Sequence, residues 1–323
     1  MSYAIRIARH GGPEVLVAED FAPQPPAAGE ALVRHHAVGL NYIDVYHRTG
    51  TYPGTLPHGI GMEGAGTVES VGPGVTLVAP GDRVAYAAGP PGSYAVRRTI
   101  AADRLLKLPD TIGFDTAAAM MLKGMTAQYL LHGCYRVQAG DTILVHAAAG
   151  GVGLILCQWA KALGATVIGT VGDAGKAALA SRYGCDHPIN YRTEDFAARV
   201  NAITGGAGVA AVYESVGRDT FDKSLECLRP LGTIALYGQS SGAPAPLDLG
   251  RLAPKSLFVT RPSLFGYTAQ RADLETIGAS LFDAVAGGKV GIEINQTYPL
   301  REASRAHRDL EARKTTGCTV LLP

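Results

Sequence analysis

Apolar and polar positions change their rhythm partway along this chain. In the first third, residues 4–9, 15–20, 30–39, 64–71 and 83–87 read as strands, punctuated by glycine and proline. The pair 4–9 and 15–20 flanks a Gly11-Gly12-Pro13 turn, and 23–29 is an irregular connection. From residue 116 to residue 134 the pattern turns helical. From Asp141 onward, strands at 142–145, 165–170, 186–191, 209–214 and 233–237 alternate with helical stretches, the order of a parallel doubly wound α/β sheet. No long-period repeat or low-complexity tail interrupts it.

The most informative segment is the first of these βα units. Residues 142–145 fit a buried strand, Gly150, Gly151, Val152 and Gly153 a turn largely without Cβ atoms, and 154–163 a packed helix. Amides at such a helix N-terminus, aided by the helix dipole, suit a pyrophosphate. The spacing is Ala147-x-x-Gly150-x-x-Gly153 in place of G-x-G-x-x-G, with the same steric logic. A glycine turn kept only for packing is the plainer alternative. The second strand at 165–170 completes a βαβ unit and favours a dinucleotide site.

At this point the residues resemble a family. Gly140-Asp141, Leu144, Ala148, Ala149, Gly150, Gly151, Gly153, Gln158 and Lys161 are similar to the signature of the zinc-independent quinone oxidoreductases, including the zeta-crystallins, within the medium-chain dehydrogenase/reductase superfamily. The opening from His10 to Leu16, the run Gly39 to Tyr46, Gly81-Asp82-Arg83-Val84 and Val259 to Ser263 follow in the family's order across essentially the whole chain. The resemblance implies a GroES-like β-rich catalytic domain from residues 1–124 and 264–323, and a Rossmann NADPH-binding domain at 125–263.

Composition is consistent with that reading. A chain of 323 residues, 47% hydrophobic and 18% charged, can bury a large core in two domains. A formal charge of +1 argues against a surface devoted to nucleic acid or anionic membrane. There is no signal-type segment and no apolar span of transmembrane length, so the expected location is the cytoplasm. Cys134, Cys157, Cys185, Cys227 and Cys318 lack paired spacing and read as reduced thiols. Where zinc-dependent members carry cysteine and histidine ligands, this chain has Asn41 and Met62 beside Glu63, which do not suit zinc; the four-cysteine structural lobe is missing too. His35, His36, His47 and His58 also lack metal-site spacing.

Cofactor choice turns on the end of the second strand. A carboxylate there would bind ribose hydroxyls and favour NADH, and Asp173 stands near the expected distance. It also precedes a helix start, where an N-cap accounts for it. Lys176 could balance a 2′-phosphate and Tyr191 could add a donor; in the family, positions matching Gly172, Lys176 and Tyr191 hold the NADPH phosphate, so NADPH is the expected cofactor. The resemblance further implies that Asn41, Tyr129, Ser215, Gly238, Gln239, Ser240 and Arg313 lie along the cofactor, with Gln239 replacing an asparagine of close relatives. For Lys176 and Arg313 the plain alternatives are a solvated helix residue and a surface ion pair on the last helix.

Without zinc to polarise a carbonyl, a suitable acceptor is one that is already electrophilic, such as a quinone or activated enone, stacked for hydride transfer away from bulk water. Asn41, Tyr46 and Tyr52 are the catalytic candidates: either tyrosine to contact the substrate oxygen, Asn41 to orient substrate or cofactor. A tyrosine in that loop serves equally as a packing anchor. The leading expectation is an NADPH:quinone reductase, by two-electron or one-electron steps. The alternatives are an NADPH-dependent enone or alkenal double-bond reductase and, in another class, a crystallin-like or RNA-binding protein that retains the nucleotide fold. The resemblance also implies a homodimer, joined through an exposed edge strand around residues 257–264.

Overall fold

A computed structural model of the chain describes residues 2–323 and divides into two compact units. The first takes residues up to Met125, Thr268–Ala286 and Ile292–Pro323; the second takes Thr126–Tyr267 and Gly287–Gly291.

The first unit is mostly β. Strands β1 (Tyr3–Ile7), β2 (Val17–Asp20), β3 (Glu30–Leu40), β4 (His58–Gly59), β5 (Glu63–Val71), β6 (Arg83–Ala87), β7 (Arg97–Ala101) and β8 (Leu106–Lys107) come first. Helix α1 (Tyr42–Thr49) sits between β3 and β4, and α2 (Phe114–Tyr129) follows β8, crossing out of this unit at its last turn. A three-stranded sheet has the order β2-β1-β4. The eleven-residue β3 is the spine of the larger sheet, pairing antiparallel with β5 and β7. Alternation along β3 buries Ala31, Val33 and His35 and leaves Arg34 and His36 outward, so one face meets a core of Val68, Val84, Tyr86, Ile100 and Leu105. Asp44 accepts from the Asn41 N–H at 2.9 Å at the start of α1, and Gly50, at φ 80°, ends the helix in the left-handed conformation.

The second unit is a six-stranded, all-parallel sheet. Its elements run β9 (Thr142–Val145), α3 (Gly151–Ala162), β10 (Thr166–Val171), α4 (Ala174–Arg182), β11 (His187–Asn190), α5 (Phe196–Ile203), β12 (Val209–Glu214), α6 (Phe221–Glu226), β13 (Leu228–Leu236), β14 (Phe258–Thr260) and α7 (Leu264–Tyr267). The order β11-β10-β9-β12-β13-β14 reverses direction between β9 and β12, so the ligand crevice of such a fold opens at their carboxyl ends. Every residue of β12 is buried, as a central strand covered on both faces requires. The chain returns to the first unit with α8 (Arg271–Ala286), β15 (Ile294–Pro299), α9 (Ala303–Glu311) and β16 (Cys318–Leu322), where β16 pairs antiparallel with β3 and extends that sheet to the order β15-β16-β3-β5-β6-β8.

Several elements differ from those the pattern predicts, most by one or two residues at an end. Helix α3 begins inside the glycine turn, at Gly151 and not 154, because small residues there leave room for the first helical turn. Strand β13 begins at Leu228 and not 233: Leu231, at φ 61°, forms an irregularity that carries the strand through a Pro-Leu-Gly sequence resembling a turn. The helical stretch ending at Cys134 finishes as a π-helix over Leu130–Cys134.

Candidate active site

The glycine turn shows why its residues are small. A Cβ on Gly153 would lie 2.3 Å from the Ala147 carbonyl oxygen, and one on Gly150 would lie 3.1 Å from the same atom. Ala147 itself sits at φ 51°, so the backbone makes a sharp bend before α3. Gly150 is the N-cap, and no side chain caps the helix start, leaving the amides of Gly151, Val152 and Gly153 at a positive dipole end without a side-chain acceptor. That donor set fits a pyrophosphate.

One strand over, β10 ends at Val171 and Gly172 follows. A Cβ there would lie 3.1 Å from the Tyr191 hydroxyl and 3.7 Å from Arg192 Nε, so glycine, phenol and guanidinium occupy one corner. Asp173 is the N-cap of α4, accepting from the Lys176 N–H at 2.8 Å. Its carboxylate is thus engaged by the helix start, while the Lys176 and Tyr191 side chains are at least partly exposed. Arg192 was absent from the residues singled out above. Its signal was available: a cation immediately after Tyr191, beyond the end of the third strand.

At the carboxyl ends of β12 and β13 two loops lie together. Ser240 donates its N–H to the Ser215 carbonyl at 3.2 Å, and a Cβ on Gly238 would come within 2.8 Å of that oxygen. Gln239 accepts from Arg261 at 3.5 Å, which also donates to the Leu236 carbonyl at 2.7 Å. Tyr129, almost fully buried, stacks on Tyr267 with ring centroids 4.6 Å apart and planes 7° from parallel. Burial raises the phenol of Tyr129 well above its ordinary range.

In the first unit, Asn41 stands at the head of α1. Its Nδ2 donates to Glu63 Oε2 at 2.8 Å, and the same buried carboxylate accepts from the Leu122 N–H at 2.8 Å and from Lys123 Nζ at 3.1 Å. Met62 is fully buried. Asp44 also accepts from the Tyr94 hydroxyl at 2.9 Å, yet desolvation dominates and lifts its carboxyl to about 7. Tyr94 lies 3.2 Å from His307, which meets Arg48 at 3.1 Å, and Arg48 pairs through both terminal nitrogens with Glu311 at 2.9 and 2.7 Å. Sequence reading missed this polar chain because its members are far apart along the chain and match no motif. Tyr46 and Tyr52 pack with ring centroids 5.1 Å apart, and Tyr46 also meets Tyr42 at 5.4 Å. Arg313 lies in the turn after α9 at φ 58°, not on the helix, and its charge is felt by the Tyr42 phenol.

Among the described residues, no group of three or more His, Cys, Asp or Glu side chains is arranged to hold a metal ion, and no helix is long and apolar enough to cross a membrane. Two family models match: an alcohol dehydrogenase GroES-like domain over residues 27–133 and a zinc-binding dehydrogenase over 151–282. The chain is 50% identical over 325 aligned positions to a quinone oxidoreductase of Pseudomonas aeruginosa, with both chains covered in full. It is 46% identical to a 2-haloacrylate reductase of a Burkholderia species, covering 100% of this chain and 99% of the relative. The solved structure of an Escherichia coli quinone oxidoreductase complexed with NADPH superposes with a TM-score of 0.97 at 48% identity, again with both chains fully covered.

Proposed function

The chain belongs to the quinone oxidoreductase family, and on that premise we propose that it is a zinc-independent NADPH:quinone oxidoreductase. The observation that carries the cofactor choice is the corner at Gly172. There Tyr191 and Arg192 crowd the glycine, and the neighbouring Asp173 carboxylate is engaged as a helix cap. A 2′-phosphate gains cations there, where a free carboxylate would repel it. The NADPH complex of the Escherichia coli relative supports the same choice.

When bound, NADPH supplies a hydride from its reduced ring. The amides of Gly151, Val152 and Gly153, beside Gly150, would hold the pyrophosphate; Gly172, Lys176, Tyr191 and Arg192 would hold the 2′-phosphate; Tyr129, Ser215, Gly238, Gln239, Ser240 and Arg313 would hold the remainder. Tyr46 and Tyr52 orient the substrate oxygen and support its developing negative charge, with Asn41 fixed by Glu63 as an orienting amide. The absence of ligand-type side chains at Asn41 and Met62 supports an electrophile that needs no metal to polarise it.

The residues 1–124 and 264–323 make the catalytic domain and 125–263 the NADPH domain in this reading. The exposed edge strand β14, with Phe258 60% and Val259 38% accessible, supports a homodimer joined there; sedimentation at several concentrations tests it. Five free cysteines suit the reducing cytoplasm.

A second reading, reduction of an activated carbon-carbon double bond, is favoured by the 2-haloacrylate reductase relative. Steady-state rates with small quinones against α,β-unsaturated acids and aldehydes separate the two, the quinones being expected to win. The Lys176→Ala and Arg192→Ala variants should each raise KM for NADPH by about tenfold, with little change for NADH. Equal losses with both cofactors would overturn the assigned phosphate corner.

A further inference from the structure

Where the sheet order reverses, β9 and β12 end on two polar side chains for which the proposed reaction has no use. His146 follows β9 and Glu214 closes β12; neither has any exposed surface. Glu214 Oε1 accepts from the N–H groups of Val216 at 2.7 Å and Gly217 at 3.1 Å. The Thr220 hydroxyl reaches both oxygens at 2.9 and 2.8 Å, and the Ser224 hydroxyl reaches Oε2 at 2.9 Å. His146 Nε2 lies 2.8 Å from Ser224 Oγ and 3.4 Å from Glu214 Oε2, and its Nδ1 lies 2.9 Å from Thr170 Oγ1.

Proton accounting gives the network a direction. Burial lowers the His146 pKa, so the ring is neutral with one N–H. The Ser224 hydroxyl also reaches the Thr220 carbonyl at 2.9 Å; with its proton on Glu214, its oxygen takes the His146 Nε2–H, and Nδ1 is left to accept from Thr170. The chain then runs from the end of β10 through the end of β9 to the end of β12, with Glu214 as the terminal acceptor.

What Glu214 grips is the turn Ser215-Val216-Gly217, and that turn grips a second. Ser241 donates both its N–H and its hydroxyl to the Val216 carbonyl at 2.8 Å, and Arg218 donates its N–H to the Gly242 carbonyl at 3.0 Å. A Cβ on Gly217, at φ 92°, would come within 2.4 Å of that Gly242 oxygen. One buried carboxylate is thus hydrogen-bonded to loop 215–217, which is hydrogen-bonded in turn to loop 238–242.

We propose that Glu214 is a positioning residue that presets these two loops to receive the nicotinamide-ribose half of NADPH, an inference that rests on the dinucleotide reading above. Glu214→Leu keeps about the volume but removes both acceptor oxygens, so the Val216 and Gly217 N–H groups lose their partner and the loops lose their register while the glycine turn and the Gly172 corner stay intact.

The test is calorimetric titration of the unliganded protein with NADPH and with adenosine 2′,5′-bisphosphate, which carries the adenosine half alone. Glu214→Leu should bind NADPH about tenfold more weakly and the bisphosphate unchanged within about twofold. Should Glu214→Leu fail to fold, Thr220→Val, which removes one donor and leaves the carboxylate, should show the same selectivity at about threefold. Equal losses for both ligands, or none for either, would overturn the proposal, since a merely structural role does not distinguish the two halves. Wild-type protein that bound neither ligand would instead defeat the dinucleotide reading itself.

Discussion

Lys123 holds its ammonium 3.1 Å from the carboxylate of Glu63, with both side chains buried, and that carboxylate in turn holds the amide of Asn41. Asn41, where the family resemblance implies a metal ligand in zinc-dependent members, is thus tied to a buried ion pair. The pair has little stability to offer by its presence, because desolvation offsets its attraction, but it is costly to break.

Lys123→Met should therefore leave Glu63 as an uncompensated buried charge and lower unfolding stability by about 3–5 kcal/mol. The double variant Lys123→Met, Glu63→Gln should recover much of that loss. Urea unfolding of the four proteins at neutral pH measures the coupling; additive losses would contradict a direct pair.

The glycine turn makes a steric prediction. Gly153→Ala drives a Cβ to 2.3 Å from a backbone carbonyl, whereas Gly150→Ala meets the same oxygen at 3.1 Å from an ordinary extended backbone. Gly153→Ala should cost roughly 1–3 kcal/mol and weaken NADPH binding. Gly150→Ala should cost less than about 1 kcal/mol. Thermal melts with and without NADPH would read both effects, and equal behaviour of the two variants would refute the close-packed turn.

Buried titratable groups in the first unit give stability a definite pH dependence. Desolvation raises Asp44 from 3.8 to about 7, and its Oδ1 is buried with no hydrogen-bond partner among the described residues, so the fold favours the protonated acid. Its contribution is complete below the unfolded value and is lost as pH rises through about 7. Burial moves His35 from 6.5 to about 4 and His307 from 6.5 to about 3. Their contribution is present above 6.5 and is lost as pH falls through those values. Asp44→Asn should therefore gain on the wild type in denaturant midpoint as pH climbs from about 4 to about 7, then hold its lead. Parallel curves for the two proteins would show that Asp44 titrates normally.

Much of the second unit was readable along the chain because its signals are local. Apolar strands of four to six residues, the Gly150 to Gly153 turn and the Asp173 cap each lie within a few positions of their partners, and each recurs in the structure. Boundaries moved where a long-range pairing outweighed a local cue, as when Leu228 joined Val209 in the sheet despite the following Pro-Leu-Gly. The candidate site divides in the same way. Gly172 and Tyr191 lie at strand ends and match phosphate positions that the family resemblance implies, whereas Arg192 matches none and only its guanidinium beside Gly172 marks it.

Residue order alone determined the alternating βα architecture, the small-residue bend before α3 and the lack of zinc-type ligands at Asn41 and Met62, since periodicity, backbone sterics and side-chain chemistry are properties of a few neighbouring residues. Tertiary structure decided what Glu63, Asp44, His146 and Glu214 do. Glu63 and His146 are lone polar residues among apolar neighbours in sequence, and Asp44 and Glu214, though each has a partner within three residues, are equally without a local sign that water will be excluded from them. The partners that complete their networks lie as far as 78 positions apart, as between His146 and Ser224, and only burial makes those hydrogen bonds obligatory.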